Sequence, residues 1–383
     1  MSQNKAKLNK IFMFVNVDWF FLSHRLPIAE AAYQNHVNMT VYTDLTDDLL
    51  IKKQRFEMLQ SPLSRSSKNF FISIIEFIKV FKLILKKKPD LIHSVTIKPI
   101  IILGLISRFT NTPFIAAISG FGPVINNRSF LHRFRFHLVM RIYKFIFKPS
   151  STLVICQSNH DKNVLIKNNI CEESSISIIH GSGVDLEKFR PVLRTEEKHN
   201  ILMASRMLVD KGIKEFCAAA KLIRDTRDED VNFLLAGPID ELSPSSISIE
   251  EVTSMCKEND VNYLGNRTDI NKLLASASIF ILPSYYPEGI PKVLLEAAAC
   301  GTPIITTDHP GCRDAVVDSE TAILVEAKNH QAIVTAIEKL LDDPISLIDM
   351  GKAGRNLAEA KFDIKKVIAL HYKLYYQLIE NTL

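Results

Sequence analysis

Short runs of almost unbroken apolar residues, each followed by a helical stretch, recur along this 383-residue chain and leave it few possible folds. KIFMFVNV (10–17) opens the series, the helical SHRLPIAEAAYQNH (23–36) follows, and VNMTVYTD (37–44) comes next. After a basic segment stand PDLIHSV (89–95) and TPFIAAIS (112–119), with the helical KPIIILGLISRFT (98–110) between them. Such runs suit strands covered on both faces, which calls for parallel strands with helices on either side. The series restarts with NILMASR (200–206), VNFLLAGP (231–238), VNYLGN (261–266), SIFILPS (278–284) and TPIITTD (302–308). A chain this long exceeds one ordinary core. The expectation is an α/β protein of two Rossmann-like domains facing a cleft, joined near GVDLEKFRPVLRTEEKHN (183–200). The first would span 1–193 and the second 194–361, with a C-terminal helix over 362–383 crossing back to the first. Ligands of open α/β sheets bind beyond the carboxyl ends of the strands, so the cleft is the expected site.

Composition narrows the class. Hydrophobic residues make up 47% of the chain and mean hydropathy is +0.08, which excludes disorder and a polytopic membrane protein. The six cysteines are scattered without a C-x-x-C pair, as reduced core thiols of a cytoplasmic protein would be. IFMFVNVDWFFL (11–22), interrupted by Asp18, and PIIILGLIS (99–107) are too short to span a bilayer, and no secretory signal is evident. Residues 1–194 carry 27 Lys and Arg against 13 Asp and Glu, a charge of +14; the remainder carries 20 against 29, a charge of −9. Such asymmetry suggests that the first half meets an anionic surface.

PEGIPKVLLEAAACGTPII (287–305) poses a chemical question. From Val293 to Cys300 only Glu296 is polar, so the helix has no face for water. A buried carboxylate needs a partner. Lys292, one turn earlier, is the simple answer, although Lys before Glu is the weaker order for such a pair.

EGIPKVLLE, Glu288 to Glu296, resembles the E-x7-E signature of the retaining GT-B glycosyltransferases of family 4. ASRMLVDKGIKEF (204–216) is similar to that family's strand–loop–helix motif, and SGVDLEKFRP (182–191) to its hinge. AGP (236–238) and YLGN (263–266) resemble its nucleotide-side loops. The resemblance spans nearly the whole chain in order. It implies that Arg206 and Lys211 stabilise the departing diphosphate of a nucleotide sugar; an exposed basic pair at a strand end is the plainer reading. By the same resemblance Glu288 contacts the transferred sugar and Glu296 holds the ribose hydroxyls. Gly289 lets the backbone approach, and Ile290, Lys292, Val293 and Leu264 line the donor. Lys292 then becomes secondary for Glu296.

Two departures stand out. NVDWFFLSHR (16–25) forms a bulky loop where many relatives carry a Gly pair, and ISGFGPV (118–124) stands where many carry a His. With FFLSHRLPIA and HSVTIKP, this version resembles the capsule and O-antigen branch, whose enzymes extend a sugar on an undecaprenyl diphosphate carrier. His24 and His93 are then candidates near the reacting centre; a structural histidine at a strand end is the alternative for each. GFG (120–122) lacks the rest of a dinucleotide turn.

Residues 65–90 and 128–150 are basic and amphipathic, the second with six Lys and Arg and no acid. They suit the surface of an anionic membrane, or a core face with a solvated basic rim. No nucleic-acid recognition module is legible. The implied function is transfer of a hexose or N-acetylhexosamine from a UDP-sugar to an undecaprenyl-diphosphate-linked saccharide of a surface polysaccharide, at the inner face of the plasma membrane. No cofactor or metal is implied, and DED (228–230) is expected to face solvent. A UDP-sugar epimerase and a non-catalytic membrane-associated scaffold are the alternatives.

Overall fold

The computed structural model describes residues 8–46, 54–64, 70–121, 130–193, 198–227, 231–286 and 289–380. The chain divides into two compact units, residues 1–182 with 365–383 and residues 183–364. The division falls earlier than 193, for a physical reason. Val184 N–H donates to Phe362 O at 2.8 Å, and Ile364 N–H donates to Val184 O at 3.0 Å. Val184 and Phe189 sit in the core of the second unit, and Arg355 Nη1 donates to the carbonyls of Phe189 (2.9 Å) and Ala299 (2.7 Å). Those contacts draw the hinge segment into the second unit.

The first unit is a seven-stranded parallel sheet. Its strands are β1 (Lys10–Phe14), β2 (Asn38–Thr43), β3 (Glu57–Gln60), β4 (Leu91–Val95), β5 (Phe114–Ile118), β6 (Thr152–Cys156) and β7 (Ile176–Ile178), in the order β3-β2-β1-β4-β5-β6-β7. Helices Phe70–Lys87, Ile97–Thr110 and Phe130–Ile146 share one core against the sheet, built from residues such as Val80, Ile92, Leu103, Phe114 and Tyr143. The last helix, Ile364–Glu380, counts with this unit from Lys365 onward. Its Tyr372 hydroxyl donates to Ile28 O at 3.3 Å.

His93 follows Ile92 on β4 and, by strand alternation, faces away from the three-helix core. It is fully buried, and its Nδ1 meets the Tyr375 hydroxyl at 2.7 Å. His371 and Arg25 complete a buried cluster. Burial and the charge of Arg25 hold both histidines neutral, His371 down at about 3. This burial and the Tyr375 contact favour the structural-histidine alternative for His93. It fastens the last helix to the sheet.

The segment after β1 also differs from expectation. It is a short helix, Asp18–His24, rather than an open loop. The buried Asp18 accepts from Trp19 N–H (2.7 Å) and Thr46 Oγ1 (2.7 Å), and Phe21 is fully buried. An acid in the first turn and an apolar anchor are enough to set a helix here. Thr96, where β4 hands over to its helix, has φ 72° and ψ 161°. A β-branched residue in that region stores backbone strain, a habit of ligand-binding turns.

The second unit is a six-stranded parallel sheet. Its strands are β8 (His199–Ala204), β9 (Val231–Ala236), β10 (Val261–Tyr263), β11 (Ile279–Leu282), β12 (Ile304–Thr307) and β13 (Ala322–Val325), in the order β10-β9-β8-β11-β12-β13. The order reverses between β8 and β11, the place where doubly wound sheets open a crevice for ligands. The helix Lys292–Ala299 is buried over most of its length, as its composition required. Gly301 N–H to Ala298 O (2.9 Å) and Thr302 N–H to Ala297 O (3.0 Å) close its end, the two bonds of a Schellman cap. All six cysteines are free, and five of them are buried. The 228–230 triplet and Gly122 to Val124 lie outside the described residues.

Candidate functional site

The second unit gathers its polar groups at that reversal. Arg206 lies in the loop after β8, and Lys211 ends the single turn Val209–Lys211 that follows. This turn is pinned to the segment after β11. Tyr285 N–H donates to Asp210 O at 2.9 Å, and the Tyr285 hydroxyl donates to Val209 O at 3.0 Å. Gly212 allows the approach: its φ is 81°, and a Cβ there would lie 2.3 Å from Pro283 O. β12 holds the same segment from the other side through Thr307 Oγ1 to Ser284 O and Thr306 Oγ1 to Leu282 O (2.7 Å).

The two cations consequently meet at one ring. Lys211 Nζ lies 5.2 Å from the centre of Tyr286, and Arg206 Cζ lies 6.0 Å from it. Both distances suit attraction between a cation and the ring face. Lys211 is largely buried, so the plainer reading of an exposed basic pair fails for it. Arg206 Nη1 also donates to Asp240 Oδ2 at 2.6 Å. Tyr286 and Asp240 were missed from the sequence. The only signal was that Tyr286 precedes the E-x7-E signature by two residues and Asp240 follows the AGP loop by two.

Glu288 lies outside the described residues, and Gly289 is the first described residue beyond it. The helix then starts at Lys292 behind Pro291, which supplies no side-chain cap to the first turn. Ile290 belongs to the core, and the half-buried Val293 packs against it. Leu264 is likewise packed against the core, with its N–H on Leu235 O at 2.8 Å. Its loop is laced to the neighbouring one by Gly237 N–H to Gly265 O (2.8 Å) and Tyr263 hydroxyl to Gly237 O (2.9 Å).

Glu296 is 13% exposed, and Lys292 Nζ stands 3.6 Å from its Oε1. That is an ion pair beyond hydrogen-bond length. Burial pushes the Glu296 carboxyl up, and the opposing pulls of Lys292 and Lys188 do not cancel it. The simple salt-bridge answer is therefore insufficient. The structure brings Arg206 and Lys211 together; it ties Glu296 to Lys292 instead, on the helix that follows. In the first unit His24, at the end of its short helix, is half-buried and stacks on Phe20 with ring centres 4.2 Å apart.

The sequence pattern of "Glycosyl transferases group 1" matches residues 185–357, and that of "Glycosyl transferase 4-like" matches residues 10–158. One curated relative is the N,N'-diacetylbacillosaminyl-diphospho-undecaprenol alpha-1,3-N-acetylgalactosaminyltransferase of Campylobacter jejuni. It is 29% identical over 94% of this chain and 99% of its own. The UDP-Gal:alpha-D-GlcNAc-diphosphoundecaprenol alpha-1,3-galactosyltransferase of Escherichia coli is 28% identical over 79% of each chain. Among solved structures, a glycosyltransferase from Rickettsia africae superimposes with a TM-score of 0.78 at 19% identity, covering 97% of this chain and 99% of its own.

Proposed function

Because this chain belongs to the glycosyltransferases, its second unit of the group 1 kind and its first of the 4-like kind, we propose that it transfers a hexose or N-acetylhexosamine from a UDP-sugar to a saccharide on undecaprenyl diphosphate, with retention at the anomeric carbon. Family membership favours transfer over the epimerase and scaffold alternatives. The named acceptors of the two relatives, both carried on diphospho-undecaprenol, support the acceptor class. Capsule, O-antigen or glycoprotein glycan assembly is the matching context.

The gathering of Arg206 and Lys211 around Tyr286 at the sheet reversal carries this reading. As the bond to the sugar breaks, negative charge grows on the β-phosphate. Two cations held in advance stabilise that charge more than the ground state, without solvent having to reorganise. The helix start at Lys292 adds the positive end of its dipole. Side-chain cations take the part a divalent ion plays elsewhere, so transfer needs no metal. Glu296 accepts from the ribose hydroxyls, which accounts for an acid kept in an apolar helix. Glu288 holds the sugar. His24 remains the first-unit candidate beside the acceptor hydroxyl, and the departing diphosphate takes that hydroxyl's proton.

Arg206→Ala is expected to lower kcat/KM at least a hundredfold, the scale of removing one charge-stabilising donor, with some loss of Tm because Asp240 loses its ion-pair partner. The assay follows UDP release with a lipid-linked saccharide acceptor. Turnover near wild type in the folded variant would sink the assignment.

A second reading concerns the first unit. No described helix is long and apolar enough to cross a membrane. Helix Phe70–Lys87 nevertheless exposes Phe71 (74%), Ile75 and Ile78, with Lys79 and Lys82 further along it, and helix Phe130–Ile146 exposes Phe134 (60%) and Leu138 near Arg133, Arg135 and Arg141 in the sequence. We assign this basic, apolar face to the anionic inner surface of the plasma membrane, where each basic residue adds about 1 kcal/mol. The protein should co-sediment with phosphatidylglycerol vesicles at low salt and be released by high salt. No sedimentation at low salt rejects the idea.

A further inference from the structure

Asp240 sits where a site for an anion has no evident use for an acid. Its carboxylate takes a hydrogen bond from Arg206 Nη1 at 2.6 Å, and its side chain is only 12% exposed. The contact is built into the backbone. Met207 N–H donates to Pro238 O, Ile247 N–H to Met207 O and Val209 N–H to Ser245 O, each at 2.9 Å. The 239–247 loop is thus stitched to both sides of the Arg206 turn. Ser243 N–H on Asp240 O, also at 2.9 Å, starts the loop's own turn at that residue. Ile247 anchors its far end in the core. The loop's backbone bonds thus hold Asp240 against Arg206 in the ligand-free protein.

We propose that Asp240 is a positioning residue that orients the Arg206 guanidinium and, through its charge, limits how tightly the site grips a nucleoside diphosphate, so that spent UDP leaves. The inference rests on the placement of the donor diphosphate at Arg206 and Lys211. Two cations alone would present a charge of +2 to the diphosphate; Asp240 lowers it to +1. In a partly buried site that difference is not screened away. An enzyme gains nothing from binding product as strongly as the transition state. Asparagine at this position can still accept the Arg206 hydrogen bond through its amide oxygen but carries no charge, so Asp240→Asn separates orientation from charge.

Calorimetric titration of UDP into four proteins tests this: wild type, Asp240→Asn, Arg206→Ala and the double variant. Asp240→Asn is expected to bind UDP about tenfold more tightly than wild type and to show stronger product inhibition by UDP. In the Arg206→Ala background the same change should still tighten UDP binding, because the Asp240 carboxylate repels the diphosphate with or without Arg206. Unchanged or weaker UDP binding by Asp240→Asn overturns the proposal, and so does loss of the tightening in the Arg206→Ala background. Wild-type UDP affinity in Arg206→Ala alone would instead overturn the diphosphate placement beneath it. If Asp240→Asn does not fold, Asp240→Ser, neutral and shorter, must tighten UDP binding for the proposal to stand.

Discussion

Glu296→Gln is expected to weaken donor binding strongly while leaving the ligand-free protein at least as stable as wild type at neutral pH. The carboxyl is raised by burial above its ordinary value, and Lys292 and Lys188 lower it less than burial raises it. A group raised on folding favours the folded state below the unfolded pKa, about 4.3 for Glu, and loses that advantage as pH rises through the folded value. At neutral pH the charged Glu296 therefore subtracts from stability, and the isosteric amide removes the cost. Below the ordinary Glu range both side chains are neutral and the two proteins should melt together. The functional loss runs the other way. Hydrogen bonds from sugar hydroxyls to a carboxylate contribute about 1.5–3 kcal/mol, so UDP should bind roughly ten- to a hundredfold more weakly. Thermal melting across pH and UDP titration give both readouts. A fall of several degrees in Tm at neutral pH would make Glu296 a structural acid, and unchanged UDP binding would remove it from the ribose.

Gly212→Ala should be the most damaging small substitution near the cation pair. The residue combines φ 81° with a Cβ position 2.3 Å from Pro283 O, a backbone atom that cannot rotate aside. A left-handed alanine costs about 1 kcal/mol and forced overlap about 1–3 more. A loss of about 2–4 kcal/mol is expected, or roughly 5–12 °C in Tm at this size. To relieve the overlap, the Val209–Lys211 turn must lift off Pro283 to Tyr286, which moves Lys211 off its ring. Misplacement by about 1 Å is enough to cost a hundredfold in rate. Gly265→Ala is the control. It shares a left-handed φ of 66° but has nothing within 4 Å of the added carbon, so only about 1 kcal/mol should be lost. Equal effects of the two substitutions would show that the turn-to-strand contact is unimportant.

Much of this was legible in the sequence, for particular reasons. β1, β2, β4 and β5 of the first unit and five of six strands in the second announced themselves as continuous apolar runs. The helix over Lys292–Ala299 was readable because burial and its Gly-Pro exit left no alternative. β3, β7 and β13 escaped: none exceeds four residues, and all three are edge strands, too short to stand out as apolar runs. The buried β6 (TLVIC) was passed over for the basic helix before it. The Asp18–His24 helix was hidden because its aromatic residues read as a loop without a helical stripe. Arg206 and Lys211 were found through motif order. Tyr286 and Asp240 depend on which loops lie side by side, which is information a linear pattern lacks. The partner of His93 was hidden for the same reason: Tyr375 lies 282 positions away.

That distant partnership has a consequence for how the protein is made. The first unit draws on both ends of the chain, whereas the second is continuous from 183 to 364. During synthesis the amino-terminal sheet must wait, with the flank that buries His93 uncovered, until the final helix leaves the ribosome, while the continuous unit can already close. A nascent chain stalled or clipped before Lys365 would present that apolar flank to chaperones and proteases.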